Sequence, residues 1–386
     1  MHPDSLDAVC KMWLHARVRF LIQLASACCL VLLVALAGIP ARAAEMPGID
    51  LPPGEQVLDL AWRNETTMVL LVQLNNGFAL RKLEMASGNL AVISVPREFG
   101  YFKPNPQKGT ALEFLLSARG NALAVIEPGN GALQAPKLYV YLIDGDTLRA
   151  VNTRSIPSEF WVNHAAWDGT GDKLYLTAEP YLFPDQLNSI GVLELKTGEF
   201  QGSVIKGNID LISDLVCLPE QGMLAVRCQA YQGQYPAESL VALVDLAHRT
   251  SHILHSRATN LTMHALNSGS LLLFPSTSEK KSGSDYWLLE PGAVTLRRAQ
   301  MALAGSATTL QTSADGEWFG FLAPAAELTD DGDAKTMLLA LQRVKDGKTV
   351  VTATATKVFR FAPSGKTVCA LAADEPRLYF YQLPLG

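Results

Sequence analysis

From about residue 52 onward the chain is a succession of short apolar segments rich in Val, Leu, Tyr and Phe, such as Met223 to Cys228 and Leu378 to Gln382, separated by polar turns. Apolar positions alternate with polar ones at a spacing of two, and helical periodicity is almost absent. A period of two belongs to strands that bury one face, so the pattern predicts an all-β protein.

The turns repeat. Ser117-Ala118-Arg119-Gly120 precedes one apolar strand, and Asp168-Gly169-Thr170-Gly171, Pro219-Glu220-Gln221-Gly222, Asn267-Ser268-Gly269, Ser313-Ala314-Asp315-Gly316 and Ala362-Pro363-Ser364-Gly365 precede others. Successive final glycines are 51, 51, 47, 47 and 49 residues apart. A second series runs in step with the first: Ser87-Gly88, Asp144-Gly145, Thr197-Gly198, His248-Arg249, Pro291-Gly292 and Asp346-Gly347. Each unit therefore reads as four strands, a to d, with tight a-to-b and c-to-d turns and a longer b-to-c connection. Glycine suits both turns because a tight hairpin needs a positive φ, which a residue without a Cβ adopts cheaply. Units of this length with four strands are the signature of β-propeller blades. The strand a segments are Val57 to Trp62, Ala111 to Leu116, Asn163 to Trp167, Leu211 to Leu218, Thr262 to Leu266, Ala307 to Thr312 and Lys357 to Phe361, which makes seven blades, with six or eight as the alternatives. The seventh ends after strand c, at Leu378 to Gln382, so Met46 to Leu51 is expected to supply its fourth strand and close the ring.

Two of the turns, Ala362-Pro363-Ser364-Gly365-Lys366 and Ser313-Ala314-Asp315-Gly316-Glu317, resemble the Ser-Pro-Asp-Gly-Lys turn of the WD40-like and TolB-type propeller superfamily. The resemblance covers nearly the whole chain after residue 43 and implies an architecture. That superfamily includes enzymes, receptors and scaffolds, so it implies no activity. The Gly-His and Trp-Asp pairs of standard WD40 repeats do not recur in register, and the tryptophan-docking motif of quinoprotein alcohol dehydrogenases is missing.

Composition adds a destination. Lys11, Arg17 and Arg19 precede the apolar stretch Phe20 to Gly38, and Ala41-Arg42-Ala43 follows as a small-x-small processing motif. Residues 1–43 thus read as a signal peptide cleaved after Ala43, with residues 44–386 as a single propeller domain; Met12 would give a shorter leader. In the rival readings residues 20–38 remain as a membrane anchor, or Ala25-Ser26-Ala27-Cys28 is a lipoprotein motif. All three export the body of the protein, to the periplasm or the exterior. The 343 residues left after a 43-residue leader divide into seven units of 49, in agreement with the glycine spacings. A net charge of −5 without charge runs excludes an attraction to nucleic acid or to anionic lipid, so membrane contact would come only through the leader. Cys217, Cys228 and Cys369 remain after the leader; a hairpin at Pro219 to Gly222 would pair Cys217 with Leu224, so buried free thiols are expected.

Candidate chemistry is sparse. The b-to-c connections of blades two to six are enlarged: Glu127 to Pro136, Glu179 to Leu187, Gln229 to Glu238, Pro275 to Asp285 and Ala323 to Lys335. Loops on one face of a rigid frame commonly carry binding, and here they hold Tyr181, Phe183, Tyr231 and Tyr235 among prolines and glycines. Tyr286 and Trp287 are expected to pack between blades instead. The connection Phe99 to Lys108 brings Tyr101, Phe102 and Lys103 to the channel entrance, as a rim contact or as a plug. His164 and His264 are expected at one level of strand a in blades three and five, facing the channel. No third histidine matches, so no metal or cofactor is expected; Asp330-Asp331-Gly332-Asp333 lacks the spacing of a calcium loop. No nucleophile elbow, phosphate loop or haem-attachment pattern occurs. The sequence therefore points to a non-catalytic binding or scaffold module with a protein partner in the cell envelope. The rival is an enzyme or enzyme subunit, resembling the amine-dehydrogenase heavy chain or lactonase-like propellers, with its site in the channel.

Overall fold

The computed structural model describes residues 41–42 and 44–384, apart from 105–111, 130–134, 159, 179–188, 206–209, 219–221, 233–234, 257–260, 267–268, 276–285, 300–307 and 330–331. A compact unit runs from Ala43 to Gly386, and it is a seven-bladed β-propeller. Five blades are separate four-stranded antiparallel sheets. Blades six and seven share one larger sheet, because Thr349–Phe361 serves first as strand d of blade six and then as strand a of blade seven.

The turns act as the repeat requires. The eleven glycines that close the turns of the two series have positive φ, and Arg249, the residue where the series lacks glycine, takes φ 55° in their place. Hydrogen bonds across the a-to-b turns recur, from Ser117 N to Ala122 O, Asp168 N to Lys173 O, Ser313 N to Trp318 O and Ala362 N to Thr367 O. The hairpin after Cys217 has the expected register, with Cys217 opposite Leu224, and Cys217, Cys228 and Cys369 are buried and not joined in a disulfide.

Strand b supplies the buried centre of each blade. Thr67–Leu74 and Ala122–Glu127 are covered on both faces, because each blade packs against two neighbours. Their side chains divide into clusters between blades; one combines Leu60, Met68 and Leu70 of blade one with Cys369, Leu371 and Phe380 of blade seven. That last cluster spans the seam where the ring closes.

The closing strand runs over Ala44–Asp50 and pairs antiparallel with Arg377–Gln382, as the fourth strand of blade seven. A bulge between Met46 and Ile49 interrupts the pairing at Pro47-Gly48. A Cβ on Gly48 would stand 2.9 Å from the Leu378 carbonyl oxygen and 2.6 Å from Arg377 Nε, so the approach of the two strands depends on glycine there. Noncovalent bonds across the seam complete the closure. Trp62 Nε1 donates to Arg360 O at 3.2 Å, and Arg360 pairs with Asp59 at 2.5 Å.

Candidate functional site

Strands a are the innermost of each blade, and their side chains reach from blade to blade. Trp167 Nε1 of blade three donates to Leu115 O of blade two at 2.8 Å, and Gln311 Nε2 of blade six to Phe359 O of blade seven at 3.0 Å. Trp62 and Trp167 hold the same place in their blades, directly opposite Met68 and Leu174 at the start of strand b, and each clips its blade to the preceding one. Neither tryptophan stood out in the sequence, although aligning the two units on their a-to-b turns places them together.

A polar belt follows from the same alignment. Four residues before the turn-closing positions Ser117, Asp168, Leu218, Leu266 and Ser313 stand Glu113, His164, Asp214, Thr262 and Thr309, and Asp59 is their counterpart in blade one. All six are half-buried or exposed, whereas strand b behind them is buried. Five strands a also break register near this level, between Val57 and Asp59, Val162 and Ala165, Asp210 and Asp214, Thr308 and Gln311, and Thr356 and Val358. Bulges re-aim side chains and are frequent beside functional sites. Thr309 lies within one of them at φ 50°, a strained value for a β-branched residue.

Two carboxylates of the belt are held alike. Asp59 Oδ1 accepts the Leu60 amide at 2.8 Å and the Arg360 guanidinium; Asp214 Oδ1 accepts the Leu215 amide at 2.9 Å, while its Oδ2 accepts Arg227 at 2.6 Å. Arg227 continues to Leu261 O of blade five at 3.4 Å. These charge-assisted bonds fix the carboxylates and join adjacent blades.

The histidines are not at one level. His164 lies four residues before the turn-closing Asp168, and His264 only two before Leu266, so they differ by two strand residues, or roughly 7 Å along the strand. The two turns are equal up to their glycines, with Gly171 N bonded to Asp168 O and Gly269 N to Leu266 O, so the two-residue difference lies along strand a and is not taken up by the turn. His164 aligns instead with Asp214 in the next blade, and its amide donates to Thr177 Oγ1 at 3.1 Å. Burial pushes the His264 imidazole down to about 4, against an opposing pull from the Asp214 carboxylate. Among the described residues no three His, Cys, Asp or Glu side chains converge as a metal-binding group.

The connection after blade one is a plug at its core. Phe99 and Phe102 are buried between blades one and two, where Phe102 meets Tyr139 with ring centroids 5.0 Å apart and Phe99 meets Tyr141 at 5.6 Å. Burial takes Phe102 out of the contact surface expected for it. Tyr101 is 64% exposed, and Lys103 is exposed with its ammonium bonded to Asn76 O at 2.6 Å.

On the b-to-c face, the blade four connection is not a loop. Strands Met223–Gln232 and Tyr235–Asp245 extend it as a hairpin, with Tyr231 opposite Pro236 and Gln232 opposite Tyr235. The blade six connection carries the short helix Ala325–Leu328. Tyr181 and Phe183 lie outside the described residues, as does most of Pro275 to Asp285. Trp287 packs between blades four and five, its ring 4.8 Å from that of His255. Beside the seam is a cleft of about 290 Å³ that sequence reasoning missed. It is lined by Leu51, Glu55, Val57, Lys357, Asp374 and Glu375 among others, and the short blade seven connection Ala373 to Pro376 forms one lip. Its signal in the sequence was the lack of any insertion there.

No family model matches the chain, and no curated protein matches it. Among solved structures it is similar to an oligogalacturonate lyase in complex with manganese, at 13% identity over 89% of this chain and 98% of that one, with a TM-score of 0.55. It is also similar to an oligogalacturonate lyase from Vibrio parahaemolyticus, at 11% identity over 89% of this chain and 99% of that one, with a TM-score of 0.56. At such identities the likeness is one of fold.

Proposed function

We propose that this chain is an exported β-propeller that serves as a binding or scaffold module without chemistry of its own, meeting a protein partner in the cell envelope through its b-to-c face. The observation that carries this reading is one-sided elaboration. On one face the strands are joined by tight turns, whereas on the other the blade four connection is a hairpin, the blade six connection carries a helix, and a cleft lies between blades seven and one. Added loop length costs little free energy, so it accumulates where it is tolerated or used. Its confinement to one face of a rigid ring favours use. Residues 1–43 supply the export signal in this reading, and the compact unit begins at Ala43, next to the processing motif. The test is capture of a partner from an envelope extract. Replacing Tyr181 to Phe183 and Tyr231 to Tyr235 by Gly-Ser should abolish capture, and undiminished capture would remove this surface from the reading.

A second reading places a site in the channel. What favours it is the polar belt of Asp59, Glu113, His164 and Asp214 at the strand a bulges, together with the strained Thr309. An enzyme or enzyme subunit built on this fold would assemble its groups from such single residues on separate blades. The two readings part on one comparison: His164→Ala with Glu113→Gln should leave partner capture intact, and would abolish turnover of any substrate used at the channel.

A further inference from the structure

We propose that ring closure and leader removal compete for the same stretch of chain, so that whichever comes first decides whether the propeller is released or stays tethered. The proposal rests on the reading of residues 1–43 as a cleavable leader. Processing after Ala43 would cut directly in front of the closing strand, which starts at Ala44 with no linker between.

The conflict concerns backbone groups. In the closed ring Ala44, Glu45 and Met46 pair with Gln382, Tyr381 and Phe380. A peptidase that binds its substrate extended uses the same N–H and C=O groups of the residues flanking the scissile bond, and a group already bonded in a sheet is not available to it. Cleavage itself is hydrolysis by that peptidase. Water adds across the Ala43–Ala44 amide, the C–N bond breaks, and the products are a carboxylate on Ala43 and an amine on Ala44.

The timing follows from chain distance. Asp50 pairs with Arg377, 327 residues further on, so closure is among the longest-range contacts in the fold and cannot precede export of the C-terminus. During N-terminus-first export Ala44 to Asp50 is exposed and unpaired for almost the whole passage. Cleavage in that window frees the domain. Closure before cleavage ties the residues that follow the bond into the sheet and retains the apolar stretch Phe20 to Gly38, whose 19 residues are long enough to anchor it.

The test uses the purified full chain in detergent, challenged with signal peptidase. Three samples are compared: the folded protein, the same protein diluted from urea at the moment of addition, and the folded Gly48→Val variant, whose Cβ is driven into the Leu378 carbonyl. Mass spectrometry reads the product with Ala44 at its N-terminus. The expected result is cleavage of the urea-diluted chain at least tenfold faster than of the folded protein, with Gly48→Val close to the urea-diluted rate. Equal rates for folded and urea-diluted wild type would overturn the competition while upholding the leader. Absence of cleavage in the urea-diluted chain would overturn the leader reading, and the proposal with it. The wild-type comparison decides even if Gly48→Val fails to fold.

Discussion

His264 carries the clearest titration signature of any single residue in the belt region. Its folded value of about 4 lies below the ordinary 6.5, because burial disfavours the imidazolium. As pH falls from 6.5 toward 4 the unfolded chain takes up a proton that the folded one refuses. Stability from this group is therefore complete above pH 6.5 and is lost between 6.5 and 4, by up to about 3 kcal/mol. Urea midpoints measured across that window should fall more steeply for the wild type than for His264→Gln; parallel curves would show that the imidazole does not titrate as its burial demands. The tryptophan clips allow a second residue-scale test. Trp62→Phe and Trp167→Phe each delete one N–H donor and leave Arg360 O or Leu115 O to find another partner, at a cost of about 1–3 kcal/mol each by urea denaturation. A change below about 0.3 kcal/mol in both would mean that the clips contribute nothing beyond packing.

At the scale of elements, what the sequence made legible was whatever repeats. The eleven turn-closing glycines with positive φ, the places of the strands a and the fourth strand of blade seven all follow from a single period. Failures came where one unit departs from the others. His264 stands two residues nearer its turn than His164 does, and the blade four connection, rich in polar residues and glycine, formed a paired hairpin where a loop was expected. The plug after blade one was ambiguous for another reason: an aromatic in a connection reads the same whether it faces solvent or a gap between blades. Only the neighbouring rings of Phe114, Tyr139 and Phe99 settle Phe102 as core. Phe102→Ser should accordingly destabilise the domain by about 3–4 kcal/mol, as loss of a buried aromatic does, while Tyr101→Ser should fall within about 0.5 kcal/mol of wild type. Similar small losses for both would return Phe102 to the rim.

For the whole molecule the governing fact is that a ring has one seam. Six of the seven junctions between blades lie within consecutive units, whereas at the seventh the N-terminal closing strand pairs noncovalently with blade seven, and the Asp59–Arg360 pair, the Trp62 bond and a shared apolar cluster join that blade to blade one. Deleting Leu378 to Gly386 removes strand c of blade seven, and with it the strand on which the closing strand pairs. Two edges then lie open at once, Ala44–Asp50 on one side and Thr367–Ala372 on the other. Unpaired edges of apolar strands recruit other chains, so the truncated protein should sediment as aggregate rather than unfold a few degrees early. Light scattering and a thermal melt of the soluble fraction check this together. A monomeric truncation with a cooperative melt would show that the seam can be dispensed with, and that six blades with their inter-blade clusters are enough to hold the ring.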